Sequence, residues 1–210
     1  MSLIGCSFGN KKNVGAVEKI RQSLRKSLLE DGYHESRPLY FVKDIGNLPF
    51  YRIVWFSFNV TPYTTYIEPC YGVGSHDADS LYRRITHRRM KRFCVINTGY
   101  LQPMNSSKGW FRLQDKDERQ QNIVCDDIIE DLRYYGEAFF NRVSNIESLI
   151  GIYEKLENTE VTFVYTPLLY MINGEKEKGI DYMKLSLEED WFKNSKEMQR
   201  FFRNYISYEE

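Results

Sequence analysis

From Val14 to Asp31 hydrophobic residues recur at helical spacing, at Val14, Val17, Ile20, Leu24 and Leu28, with Lys19, Arg21, Arg25 and Lys26 between them. This predicts an amphipathic helix whose basic face meets water, capped by Asn13 and ended near Gly32. The pattern then changes period. Pro38 to Lys43 reads as a strand, and 44–47 (DIGN) as a turn. Phe50 to Val60 is apolar on both alternating sets, as expected of a central strand covered on both faces. Tyr63 to Val73 forms a further strand interrupted near Pro69, with Gly72-Val73-Gly74 as a turn. A short helix is expected over Leu81 to Ile85, capped by Ser75 or Asp77. Arg92 to Tyr100 and Gly109 to Gln114 complete about five strands. The connections between them are local, which favours an antiparallel sheet.

From Gln120 onward the period is helical. Val124, Ile128, Leu132, Tyr135 and Phe139 make one stripe, and Ser144 to Glu147 reads as a capping box opening a helix through Leu149, Ile150, Tyr153 and Leu156. Two more helices meet at Asn173-Gly174, with Pro167 ending or kinking the first. A last helix, opened by Asn194 or Ser195, buries Met198, Phe201, Phe202 and Tyr205. Strands followed by helices give an α+β fold: an N-terminal helix, an aromatic-rich sheet and a helical C-terminal half. The division expected is 1–143 for the sheet region and 144–210 for a helical subdomain packed on it, together one structural domain.

Composition narrows the function classes. Lys plus Arg and Asp plus Glu are 29 each, so no net field draws the chain to nucleic acid or anionic lipid. Aromatics reach 15%, read as core and sheet faces filled with rings, with a ring-lined ligand groove as the alternative. Cys6, Cys70, Cys94 and Cys125 form no C-x-x-C pair, so buried reduced thiols are expected and a zinc site is not. The opening MSLIGCSFGNKKN shows no signal-peptide core, and no run of 18 apolar residues follows, so a cytoplasmic chain away from membranes is the expectation.

Two constellations carry candidate chemistry. The segment 83–92 (RRITHRRMKR) holds Arg83, Arg84, Arg88, Arg89, Lys91 and Arg92 without an acid. It reads as a solvated face, or one paired internally with the seven acids of 115–131; alternatively it contacts a protein partner, with nucleic acid the least expected target. The second is His76 and Asp77 with His87 downstream. These residue types do acid–base work, but histidines eleven positions apart match no ligand spacing. No catalytic, metal or cofactor motif stands out beyond these.

The element order resembles a known family. A helix running into Gly32-Tyr33 (LRKSLLEDGYHESRPLYFV), with Arg37 and Tyr40-Phe41 at the strand entry, is followed by His87-Arg88, Trp110-Phe111 and the helix through Asp127 and Leu132. Over roughly residues 14–157 this resembles the bacterial domain-of-unknown-function family 4304. Leu168 to Leu187 is similar to a single tetratricopeptide-like helical hairpin, with 174–179 (GEKEKG) as its junction. The resemblance implies a small cytosolic bacterial protein without an agreed site, some members being immunity proteins of toxin systems. Three function classes follow: a non-enzymatic interaction module whose partner is a toxin or other cytosolic protein, a hydrolase using His76, Asp77 and His87, and a nucleic-acid binder using 83–92.

Overall fold

The computed structural model describes residues 14–60, 64–87, 111–114, 118–156 and 159–209. The amphipathic stripe forms α1 (Val14–Glu30), burying Val17, Ile20, Leu24 and Leu28. It ends where Gly32 turns left-handed (φ +83°), which lets Tyr33 N–H reach back to Leu28 C=O at 3.0 Å. The cap expected at Asn13 lies outside the described residues.

The single strand expected over 38–43 is instead a hairpin, β1 (His34–Arg37) and β2 (Tyr40–Asp44). Its turn at Pro38-Leu39 places Leu39 at φ +62°, a conformation that costs a side chain with a Cβ about 1–2 kcal/mol. Glu35 Oε1 holds it by accepting from Leu39 N–H at 3.1 Å. Then come β3 (Phe50–Val60), β4 (Thr64–Ser75) and β5 (Phe111–Gln114). The five strands lie in sequence order in one antiparallel sheet with β3 in the middle, and Phe50, Tyr51, Ile53 and Val54 are buried on both of its faces.

Gly72 to Gly74 is strand and not a turn. A Cβ at Gly74 would overlap the ring of Tyr51, so here glycine serves a close approach and not a reversal. Nor does Pro69 interrupt β4: the described pairs with β5 run from Thr64 to Ile67, so it lies two residues beyond the last of them. The strand expected over 92–100 lies outside the described residues.

Helix α2 (His76–Thr86) is capped by Ser75, as its sequence suggested, and is longer than 81–85. Helix α3 (Glu118–Asp131) passes through a π turn (Leu132–Gly136) into α4 (Glu137–Phe140). Next is α5 (Ile146–Tyr153), whose capping box is Asn145 with Ser148, one residue later than expected. The Ser148 hydroxyl accepts from the amides of both Ser144 and Asn145, at 3.1 and 3.2 Å, which sets the frame. α6 (Glu160–Ile172) runs on through Pro167 and does not end there. It forms a hairpin with α7 (Lys176–Lys184) at Gly174 (φ +76°), and Gly179 of α7 sits where a Cβ would be 3.2 Å from the Pro167 Cα. α8 (Asp190–Lys193) and α9 (Lys196–Ser207) follow, α9 capped by Ser195.

The described residues form two compact units, each interleaved in sequence. One holds 14–43, 52–60, 64–72, 111–114 and 118–140; the other holds 44–51, 73–87, 141–156 and 159–209. The C-terminal helices thus share their unit with α2 and the turn at 45–49. Rings fill both interiors. In the first unit Phe41 meets Phe56 edge-on, and Tyr71 meets Phe139 and Phe140. In the second, Phe163 touches Trp191, Phe192, Phe201 and Phe202. Tyr134 is the one exposed ring among the described Phe, Tyr and Trp residues. Cys70 and Cys125 are free, buried thiols, while Cys6 and Cys94 lie outside the described residues. Among the described residues no helix is long and apolar enough to cross a membrane.

Candidate interaction surface

The candidate acid–base residues do not converge. His76 is the first residue of α2 and His87 is its C-cap, so the length of the helix, about 16 Å at 1.5 Å per residue, separates them. Asp77 is exposed in the first turn, where a carboxylate is favoured by the unpaired amides of the helix end. His76 instead meets Asp44, Nε2 to Oδ1 at 3.0 Å, in a pair that is more than half exposed. Arg83 and Arg84 are exposed in the last turn of α2, where cations are likewise favoured. Arg88, Arg89, Lys91 and Arg92 lie outside the described residues. Among the described residues no group of three His, Cys, Asp or Glu is placed to hold a metal ion.

The acid that the fold does engage in α2 is Asp79. Tyr51 donates to its Oδ2 at 2.6 Å and Tyr165 to its Oδ1 at 3.0 Å, and the Tyr165 oxygen also accepts from Ser75 N–H at 3.2 Å. With a phenol on each oxygen, the carboxylate anchors the start of α2 to β3 and α6. The glycine at position 74 leaves the room that the Tyr51 ring occupies. No local motif marks this arrangement, because its members stand 28 and 86 residues from Asp79.

In the other unit a different arrangement faces outward. The π turn adds a residue to one turn of helix; of the expected stripe Val124, Ile128, Leu132 and Phe139 are buried and Tyr135 is half-buried. Leu132 and Gly136 point inward, Tyr135 is half-buried, and Tyr134 is 71% exposed, its ring edge-on to Tyr135 at 4.8 Å. The turn is fastened by Arg133, whose Nε and Nη2 donate to the two oxygens of Asp31 at 3.1 and 2.8 Å. This planar two-point pairing fixes orientation as well as distance. The Asp31 carboxylate holds the Arg133 guanidinium above its ordinary pKa. Leu29, 40% exposed, stands two residues before Asp31.

Beside this clamp lies a cleft of about 170 Å³ with Leu28, Val54, Leu132 and Phe140 among its walls. Lys43 Nζ donates to the Asp31 carbonyl at 2.6 Å and lies 5.5 Å from the Tyr33 ring centre. Arg52 pairs with Glu137 at 2.5 Å and lies over Phe140. Burial pushes the Tyr33 hydroxyl up to about 12, against the opposing pull of Arg52, so the phenol stays protonated near neutral pH. The charges around the cleft are thus spent on holding α1, β2, β3 and the π turn in register. On the π turn itself the exposed ring is that of Tyr134. The adjacent Tyr134-Tyr135 pair just before Gly136 was its only trace in the sequence.

No family model matches the chain, and no curated protein or solved structure matches it.

Proposed function

We propose that this chain is a non-enzymatic protein-interaction module of the immunity type implied by its sequence resemblance, acting by covering part of a partner's surface. The observation that carries the reading is Tyr134, exposed on a turn held by the two-point Arg133–Asp31 pair. Interfaces draw most of their energy from a few rigid aromatic and arginine anchors, because such side chains bury a large area at little cost in rotamer freedom. The partner is a cytosolic protein, a toxin in the immunity reading.

The test is co-expression with toxin-like proteins encoded beside this chain, reading growth rescue and co-purification. Wild type should rescue and co-purify. Tyr134→Ser should weaken the complex at least tenfold, the effect of losing roughly 1.4 kcal/mol. Full rescue and unchanged affinity in the Tyr134→Ser variant would remove the π turn as the contact.

A further inference from the structure

Gln121 is the one buried Asn or Gln among the described residues, 7% exposed. A carboxamide carries an acceptor oxygen and two N–H donors, and buried groups of this kind are ordinarily bonded. Asn173, Gln199 and Asn204, all less buried, each donate to a partner: Glu175, the Phe192 and Lys193 carbonyls, and the Ile85 carbonyl. The Gln121 amide has no hydrogen-bond partner among the described residues. Nor is it sealed off, as the Nε atoms of Arg21 and Arg52 are: its oxygen and nitrogen keep accessible surface.

That surface opens on a cleft of about 350 Å³ between α1 and α3, two helices of the first unit. Its walls include Lys19, Ser23 and Lys26 on one side and Gln121, Asn122 and Cys125 on the other. Lys19 and Lys26 stand four residues before and three after Ser23, so the three share one face of α1. Ser23 itself is bonded to the Cys125 thiol. No carboxylate and no aromatic ring lines the cleft. Two acids stand outside it: Glu30 Oε1, 3.9 Å from Lys26 Nζ and so beyond hydrogen-bond distance, and Asp126, next to Cys125 in sequence. The cleft thus sets ammonium charge beside an unspent amide donor and acceptor.

We propose that this cleft binds a small N-acylated amino acid, its secondary amide paired with the Gln121 carboxamide and its carboxylate held by Lys26. A secondary amide returns one acceptor and one donor, the complement that a carboxamide needs. Phosphate or a simple carboxylate accepts from the Gln121 nitrogen but sets a second acceptor against its oxygen. A nucleotide base has donor and acceptor, but the cleft has no ring for it to stack on. The volume lies at the small end of ligand pockets, which suits a molecule of this size. A trapped water bonded to both amide atoms is the competing account, and it predicts no response to any of these compounds.

The experiment is an NMR titration of the full chain with N-acetylglycine, with N-acetylglycinamide, propionate and inorganic phosphate as controls, on wild type, Gln121→Leu and Lys26→Gln. N-acetylglycine should shift the Gln121 side-chain NH2 pair, assigned by its loss in Gln121→Leu, and the Cys125 amide, both saturably. Propionate and phosphate, which lack the amide, should bind about tenfold more weakly. N-acetylglycinamide, which lacks only the charge, should lose about threefold, and Lys26→Gln should lose about as much with a smaller salt dependence, since the ammonium is exposed. Gln121→Leu should abolish the Cys125 response without lowering the unfolding midpoint, because it removes a buried amide that nothing in the chain bonds. If that variant fails to fold, the four compounds on wild type and Lys26→Gln decide. No saturable shift with N-acetylglycine, equal shifts with propionate or phosphate, or unchanged affinity in Gln121→Leu would overturn the site. The titration involves no protein partner, so it stands or falls separately from the interaction reading.

Discussion

Tyr165 and Asp79, 86 residues apart in sequence, are joined by a hydrogen bond of 3.0 Å whose phenol oxygen also accepts from the buried Ser75 amide. One hydroxyl thus serves both the carboxylate within the first turns of α2 and the backbone at its cap. Tyr165→Phe leaves the ring in place but strands the Ser75 N–H. The expected loss is about 1–3 kcal/mol, read as a lowered urea midpoint with an unchanged slope. Stability equal to wild type would show that the phenol is not bonded in this way.

The α6–α7 hairpin depends on Gly179. A Cβ there would meet the Tyr205 hydroxyl, which donates to Pro167 C=O at 2.7 Å, and would also press on the Pro167 backbone. Gly179→Ala removes a helix-disfavouring residue, which by propensity alone would stabilise α7 by about 1 kcal/mol. Overpacking costs about 1–3 kcal/mol and runs the other way. The steric term should win, so Gly179→Ala is expected to lower the melting temperature. A rise would mean that the helices separate without cost.

Leu39 offers the opposite sign. At φ +62° its backbone favours glycine, so Leu39→Gly should be stabilising by roughly 0.5–1 kcal/mol if the Glu35 contact is kept. Glu35→Gln, by contrast, removes the charge that Arg25 bonds and should destabilise. Equilibrium unfolding of the two single variants reads both effects, and a loss of stability in Leu39→Gly would contradict the strain.

Five buried groups set the alkaline limit, the Tyr170 hydroxyl, raised by burial and by its bond to Glu154, among them. Burial pushes the Cys70 thiol and the Tyr33 and Tyr71 hydroxyls up to about 12, and the Cys125 thiol to about 11, from ordinary values of 9.0 for thiols and 10.0 for phenols. A folded pKa above the unfolded one means that stability is fully present below the unfolded value and is lost as pH rises toward the folded one. Unfolding midpoints should therefore be insensitive to these groups below pH 9 and decline from there toward pH 12. Each group adds up to about 1.4 kcal/mol per pH unit above its unfolded value. Cys70→Ala should flatten the decline, and an unchanged pH profile in that variant would refute the assignment.

Much of the helical architecture was legible because burial repeats at a fixed spacing. Val17, Ile20, Leu24 and Leu28 announce α1, and Met198, Phe201 and Tyr205 announce α9. The β1–β2 hairpin was not, because Pro38-Leu39 lacks the Gly or Asn that a left-handed turn residue usually requires. Gly74 misled for the complementary reason: glycine marks reversals and close approaches alike, and only Tyr51 tells them apart. The capping frame at 144–148 was ambiguous because Ser144 and Asn145 are both good caps with a suitable residue three positions on. His76 and Asp77 were legible as polar residues at a helix start. Asp79, Gln121 and Tyr134 were not, since their significance comes from residues distant in sequence or from a change of helical period.

That change of period resists being undone. The π turn takes one residue more than the α-helical turns that flank it, and both flanks carry buried side chains. Removing one residue from 133–135 would close the gap but force either α3 or α4 to swivel by about 100° relative to its buried neighbours. The extra length is therefore held in place from both sides, which makes the outward turn as fixed as the helices it joins.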